Sequence, residues 1–252
     1  MNAIRQTRRS VLKTIAGLPI AAVLADPRLA RAAAAGLESV STNGQSAALA
    51  LPAQTPAPMV LLVHEWWGLN DQIKSVARAF ADRGHVALAL DLYGGKVATS
   101  AADARAYMGR VNSARATATC AAWIDWLRAR QDTTDRLGTV GWCFGGGWSL
   151  NASLTRPVEA TVIYYGRLVD DEARLAALKG PVLGHYASRD QWINAAMVKG
   201  FEKAMTAAGK AFTSHWYEAD HAFANPTSAI YDEADAALAW SRTLAFLAAN
   251  LR

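Results

Sequence analysis

The sequence predicts an α/β fold, a mostly parallel central sheet with helices on both faces, from three observations. Short, continuous apolar runs recur along the chain, as at Met59-Val60-Leu61-Leu62-Val63, the signature of strands buried on both faces. Segments with helical spacing, long enough to cross back over a sheet, separate those runs. The alternation continues to the C-terminus with no internal repeat and no long linker, so a single domain spans residues 33–252.

The elements follow in order. A Pro-rich loop at 52–58 leads into a strand at 59–63, and a helix at 72–83 closes at Gly84. A second apolar strand, 86–90, ends in Asp91. The stretch 101–130 is helix-rich and broken near Asn112-Ser113; a strand at 137–141 and a helix at 145–154 come next. Strands at 160–165 and 182–186, a helix at 194–208 closed by Gly209, a strand at 212–217 and a long amphipathic helix at 227–250 complete the chain. In such sheets active groups gather at the carboxyl ends of the strands.

The formal charge of +5 does not mark a nucleic-acid binder. Residues 1–32 hold Arg5, Arg8, Arg9, Lys13, Arg28 and Arg31 against Asp26 alone, which accounts for all of the excess. The remainder carries as many acids as bases and no basic run, so it has no electrostatic footprint for nucleic acid. The basic segment reads as an address. Thr7-Arg8-Arg9-Ser10-Val11-Leu12-Lys13 has the pattern of a twin-arginine export signal, and Ala30-Arg31-Ala32 offers a cleavage site. The apolar stretch between them, 14–25, is shorter than the ~20 residues that a ~30 Å bilayer demands, so no stable membrane anchor is expected. The expected course is recognition by export machinery, cleavage after Ala32 and a periplasmic or secreted product.

Gly141-Trp142-Cys143-Phe144-Gly145-Gly146-Gly147 is the most informative segment. It follows one predicted strand and opens a predicted helix, the setting of a G-x-S-x-G nucleophile elbow with Cys in place of Ser. A sharp strand-to-helix turn strains the central residue, and its neighbours two positions away must lack side chains. The helix N-terminus favours a thiolate at Cys143, and the Phe144 N–H faces the oxyanion position. A Gly-rich turn around a buried, inert Cys is the competing reading. No G-K-[ST] follows, so a phosphate loop does not fit.

Such an elbow belongs to α/β-hydrolases, which require an acid and then a His further along the chain. Asp190 follows the strand 182–186 and His221 follows the strand 212–217, each at a carboxyl end. His221 would move protons and Asp190 would fix its tautomer. Asp170 and Asp171 are rival acids, and Asp220 reads as a loop charge. His185 reads as a core residue, and His64, His85 and His215 form no constellation. No His/Cys/Asp spacing suits a metal, so neither metal nor cofactor is expected. Cys120 lies within a helical stretch, and both thiols are expected to be free.

From about Leu49 onward the chain resembles the dienelactone hydrolase family. The resemblance rests on His64-Glu65-Trp66-Trp67-Gly68-Leu69-Asn70, Asp91-Leu92-Tyr93, the Cys143 elbow, Tyr164-Tyr165-Gly166, the Asp190 segment, and His215-Trp216-Tyr217-Glu218 through His221-Ala222-Phe223. It implies a Cys143-His221-Asp190 triad. It also implies that Glu65 contacts the resting thiol, that Trp66 supplies a second oxyanion N–H beside that of Phe144, and that Tyr107 meets substrate. Glu65 follows the strand 59–63, which independently brings it to the strand-end cleft. The chain departs from the family at Asn225, where the family has a carboxylate-gripping Arg, and a second family Arg has no aligned counterpart. Asn does not replace a bidentate Arg. With Trp66, Trp67, Trp142 and Trp148 as expected cleft aromatics, the substrate expected is a small ester or lactone with a less charged, more apolar acyl group. A carboxylesterase or thioesterase is the nearest alternative, and a non-catalytic periplasmic binding protein or a redox protein using both cysteines is more distant.

Overall fold

The computed structural model describes residues 27–252; the twin-arginine motif and the apolar stretch after it lie outside them. A helix α1 (Pro27–Ala34) packs on the next helix through buried Ala30 and Ala33 and spans the expected cleavage point at Ala32. No helix among the described residues is long and apolar enough to cross a membrane.

Eight strands follow: β1 (Glu38–Thr42), β2 (Gln45–Ala50), β3 (Ala57–Val63), β4 (Val86–Leu90), β5 (Thr133–Trp142), β6 (Ala160–Tyr164), β7 (Val182–Ala187) and β8 (Phe212–Tyr217). They form one sheet in the order β1-β2-β4-β3-β5-β6-β7-β8. All neighbours from β4 to β8 are parallel, while β1 and β2 form an antiparallel hairpin on the β4 edge. The helices are α2 (Asp71–Ala81), α3 (Ala101–Gly109), α4 (Ser113–Arg128), α5 (Phe144–Thr155), α6 (Glu172–Leu175), α7 (Ala195–Ala207) and α8 (Glu233–Asn250).

The two-residue period of a strand divides the core between the two faces. Val60 and Leu62 of β3, with Val140 and Trp142 of β5, pack toward α2 and α8. Met59, Leu61 and Val63, with Leu137, pack toward α4 and its buried Trp123 and Ile124. Beyond β6, Ile163 and Val182 meet Phe201 and Met205 of α7 on the same side as α4. Covered on both faces, β4 and the inner part of β3 are buried at every residue, so their sequences run apolar without alternation.

Strand order reverses beside β3: the chain passes from β3 to β4 on one side and later returns to β5 on the other. The carboxyl ends of β3 and β5 therefore flank a topological switch point, where open α/β sheets place their ligand crevice. Val63 is in register with Gly141, which sets the turn after β3 beside the turn after β5.

Candidate active site

Cys143 sits between β5 and α5 with φ 53° and ψ −118°, in the positive-φ region that a side chain rarely adopts. Its N–H donates to the Tyr164 carbonyl at 2.9 Å, which anchors the turn on β6. The flanking glycines are steric necessities. A Cβ on Gly141 would come within 1.9 Å of the Gly145 carbonyl oxygen, and one on Gly145 within 2.2 Å of the Val63 oxygen. The turn thus closes on itself and against the end of β3, leaving the thiol half-buried and facing the loop after β8.

That loop carries His221. Its Nε2 lies 3.1 Å from the Cys143 sulfur, and its Nδ1 lies 2.7 Å from Asp190 Oδ2. Asp190, after β7, is buried, and its Oδ1 accepts from the N–H groups of Trp192 (2.7 Å) and Ile193 (3.0 Å). The loops after β7 and β8 are bound to each other by Ser188 N–H to the Tyr217 carbonyl and Arg189 N–H to the Ala219 carbonyl. An exposed Arg189–Asp220 ion pair (3.2 Å) lies across the rim and is worth at most about 1 kcal/mol. Asp171, a rival acid by sequence, caps α6 instead.

Glu65 enters from the loop after β3 and is 6% exposed. Its carboxyl accepts from the Tyr165 hydroxyl (3.1 Å) and from the Asn225 amide. The thiol's own hydrogen-bond partner is His221, not Glu65. Asn225, at the family Arg position, is buried, and its Oδ1 accepts from the backbone (2.9 Å) and hydroxyl (2.7 Å) of Thr227. Both donors to Glu65 are neutral, and burial pushes its pKa up against them. Trp66 and Trp67 follow, half-buried and edge to face at 5.1 Å. Among the described residues, neither the Trp66 nor the Phe144 N–H donates to a protein acceptor. Phe144 itself opens α5 beside His64 and Tyr93.

Two residues without an expected role help to build the site. Tyr165 holds φ 37° immediately after β6; its ring lies edge-on to His221 at 5.1 Å while its hydroxyl holds Glu65. His64 Nε2 accepts the Leu92 N–H at 3.2 Å, so Nδ1 carries the proton and donates to the Glu65 carbonyl. This neutral ring fixes the backbone just before Trp66. Two expectations read differently in the structure. Trp142 does not line the cleft: it shares the parity of Val140 on β5 and stacks on Tyr164 in the core at 5.3 Å. Tyr107, on α3, lies one ring removed from Phe144, against Tyr93.

Cys120 is fully buried on α4, its thiol pushed up to about 12 by burial, and neither cysteine is in a disulfide. His185 is a satisfied core residue, bonded to Tyr217 (2.8 Å) and Thr243 (3.0 Å). No cluster of three or more metal-ligating side chains occurs among the described residues.

The histidines set opposite pH dependences. Burial works against charge on His221, but the hydrogen bonds to Asp190 and Cys143 outweigh it and raise its pKa to about 10. Its stabilising contribution is complete below the ordinary value of 6.5 and is lost as pH climbs toward 10. Burial lowers His64, His85, His185 and His215, so the unfolded chain binds more protons below pH 6.5 and stability falls with further acidification. Asp190 and Asp132, held low by their hydrogen bonds, add to this acid-side loss, whereas Glu65 and Asp235, raised by burial, oppose it. The melting temperature is therefore expected to peak near pH 6.5, with calorimetry at about pH 5 and pH 9 giving lower values on both sides. A flat profile would show that these groups are solvated.

The family model described as "Dienelactone hydrolase family" matches residues 46–251. A relative from Methylorubrum extorquens, provisionally named a carboxymethylenebutenolidase, is 36% identical over 69% of this chain and 66% of its own length. The carboxymethylenebutenolidase of Pseudomonas putida is 27% identical over 84% of this chain and 95% of its own. Among solved structures, a provisionally assigned dienelactone hydrolase from Klebsiella pneumoniae superposes with a TM-score of 0.76 at 28% identity, covering 84% of this chain and 97% of that one. A metagenomic dienelactone hydrolase-like promiscuous phosphotriesterase shares the fold, with a TM-score of 0.78 at 22% identity over 86% of this chain and 98% of that one. The chain belongs to the dienelactone hydrolase family and is an enzyme of that hydrolase class.

Proposed function

We propose that the protein hydrolyses an ester or lactone through an acyl-enzyme on Cys143, with His221 carrying protons and Asp190 anchoring His221. The observation that carries this reading is the continuous contact from thiol to imidazole (3.1 Å) to carboxylate (2.7 Å), at a turn held in positive φ. The relatives named as carboxymethylenebutenolidases support a lactone or ester as the substrate.

The cycle balances with water as the only co-reactant. The Cys143 thiolate adds to the carbonyl carbon, and the carbonyl oxygen becomes an oxyanion between the N–H groups of Phe144 and Trp66. Collapse expels the alcohol, which takes the proton from His221 Nε2. A lactone leaves its alcohol on the same acyl chain. Acylation removes the thiolate charge that helps hold the proton on His221, so the imidazole becomes a better base for the second half. It accepts a proton from water, hydroxide attacks the thioester, and the acid leaves with the thiolate restored. Throughout, Asp190 holds the tautomer, and Tyr165 and Asn225 hold the Glu65 carboxyl beside the reacting groups.

The replacement of the family Arg favours an uncharged acyl group, the substrate of a general carboxylesterase or thioesterase. Asn225 is buried and occupied by Glu65 and Thr227, and its amide offers no bidentate cation at this position. Stopped-flow hydrolysis of neutral aryl esters is expected to show a burst matching the enzyme concentration, with neutral esters turned over at least as well as carboxylate-bearing lactones. Turnover confined to the anionic lactones would reject the uncharged acyl group while leaving the triad in place.

A further inference from the structure

A second cavity, of about 260 Å³, opens between the loop after β4 and the start of α4. Cys143, His221, Asp190, Glu65 and Trp66 are not part of its wall. Lys96, Arg110 and Arg115 line it, and no carboxylate does. None of the three cations is in an ion pair among the described residues.

The wall has an apolar part as well. Tyr107 and Tyr93 meet edge to face at 5.9 Å, and Lys96 lies over the Tyr107 ring at 5.6 Å. The N-terminus of α4, capped by Asn112, adds its partial positive charge to the same wall.

Tyr93 is the most telling residue of the set. It is 9% exposed, and its hydroxyl is buried without a hydrogen-bond partner. Buried phenols almost always find one, and an exception calls for a cause. The Tyr93 ring also packs against His64 and Phe144, and its phenol lies within electrostatic reach of Cys143 and Asp91. Tyr93 thus lines the cation-lined cavity and is also near the nucleophile.

We propose that this cavity is a binding site for a small organic anion, a carboxylate or phosphate ester on a short apolar body, held by Lys96, Arg110 and Arg115 against the Tyr107 ring. Three unpaired cations, the absence of any acid and two aromatic walls define both halves of that ligand. The site stands apart from the reacting atoms, so it does not depend on the hydrolytic chemistry proposed above.

The test is direct binding, without turnover. Titration calorimetry or ligand-detected NMR on the protein would use phenyl phosphate and benzoate, with benzyl alcohol as the neutral counterpart. Saturable binding of either anion is expected, at least tenfold tighter than the alcohol, and weakened when salt is raised to about 0.5 M. Arg110→Ala/Arg115→Ala, at two exposed positions, is expected to weaken the anion by tenfold or more with an unchanged melting temperature. The relative affinities of the two anions identify phosphate or carboxylate as the preferred head. Absence of saturable binding, equal binding of the alcohol, or anion binding untouched by the paired Arg substitution would each overturn the proposal.

Discussion

Replacing Cys143 with alanine is expected to lower kcat on any accepted ester by about 10⁴-fold or more, because no other group can form the acyl-enzyme. The loss should not come with unfolding. Cys143 is half-buried, and its strained backbone is held by Gly141, Gly145 and the bond to Tyr164, none of which needs the sulfur. Serine is expected to recover little, leaving activity about 100-fold or more below that of the thiol. A hydroxyl does not ionise against His221, and the contribution of the thiolate to the raised imidazole pKa disappears with it. Steady-state kinetics with thermal melts on both variants would check this pair of outcomes. Undiminished ester cleavage by folded Cys143→Ala would remove the nucleophile from the mechanism.

Gly145→Ala is expected to damage both stability and chemistry. The added methyl would stand 2.2 Å from the Val63 oxygen and 2.5 Å from the His64 oxygen, and both neighbours are backbone. Neither can swing aside as a side-chain tip would, so the elbow or the end of β3 must move. Overpacking of this kind costs about 3 kcal/mol or more, and for a domain of this size each kcal/mol is about 2–4 °C of melting temperature. A fall of roughly 10 °C is expected. The same displacement shifts the Phe144 N–H and the thiol together, and a ~1 Å error at a reacting centre costs on the order of 100-fold in rate. Gly200, exposed in the middle of α7 with open space around it, makes the contrast. Alanine there should stabilise the protein by about 0.5–1 kcal/mol and leave kinetics alone.

The parallel strands were legible because a sheet covered on both faces leaves apolar runs in the sequence, and β4 begins and ends where such a run does. The N-terminal hairpin was not. Glu38–Thr42 is polar and sits on the sheet edge, and Gln45–Ala50, though buried over its last four residues, is filled by alanines, which favour helix over strand. Their one clear signal is Asn43-Gly44, both at positive φ (50° and 73°), the turn pair that a tight hairpin demands. The last helix was read as starting at 227 but begins at Glu233 behind the Asp232 cap. The intervening turn is spent on the Asn225–Thr227 contacts that support Glu65.

Within the site, residues with chemistry of their own were legible, and residues that act by position were not. Cys143, Asp190 and His221 follow strand ends in an order that sequence can show. Tyr165 sits at the same kind of strand end, but nothing in a lone Tyr announces that its hydroxyl will meet Glu65 one hundred residues earlier. The partner of His64 likewise comes from another loop, at Leu92. Trp142 was recoverable: counting parity from Val140 along β5 sends it to the α2 and α8 side, into the core. Tyr93 gives no sign in sequence that its hydroxyl is buried without a partner, since that depends on the packing of three loops.

The account turns on a covalent bond to one sulfur. Rapid quench of the enzyme with an activated acyl ester, followed by intact mass and peptide mapping, tests it most directly. The expected result is a transient mass increase equal to the acyl group, confined to the peptide containing Cys143 and absent from Cys143→Ala. Turnover at full rate with no adduct, or an adduct carried on another residue, would contradict it.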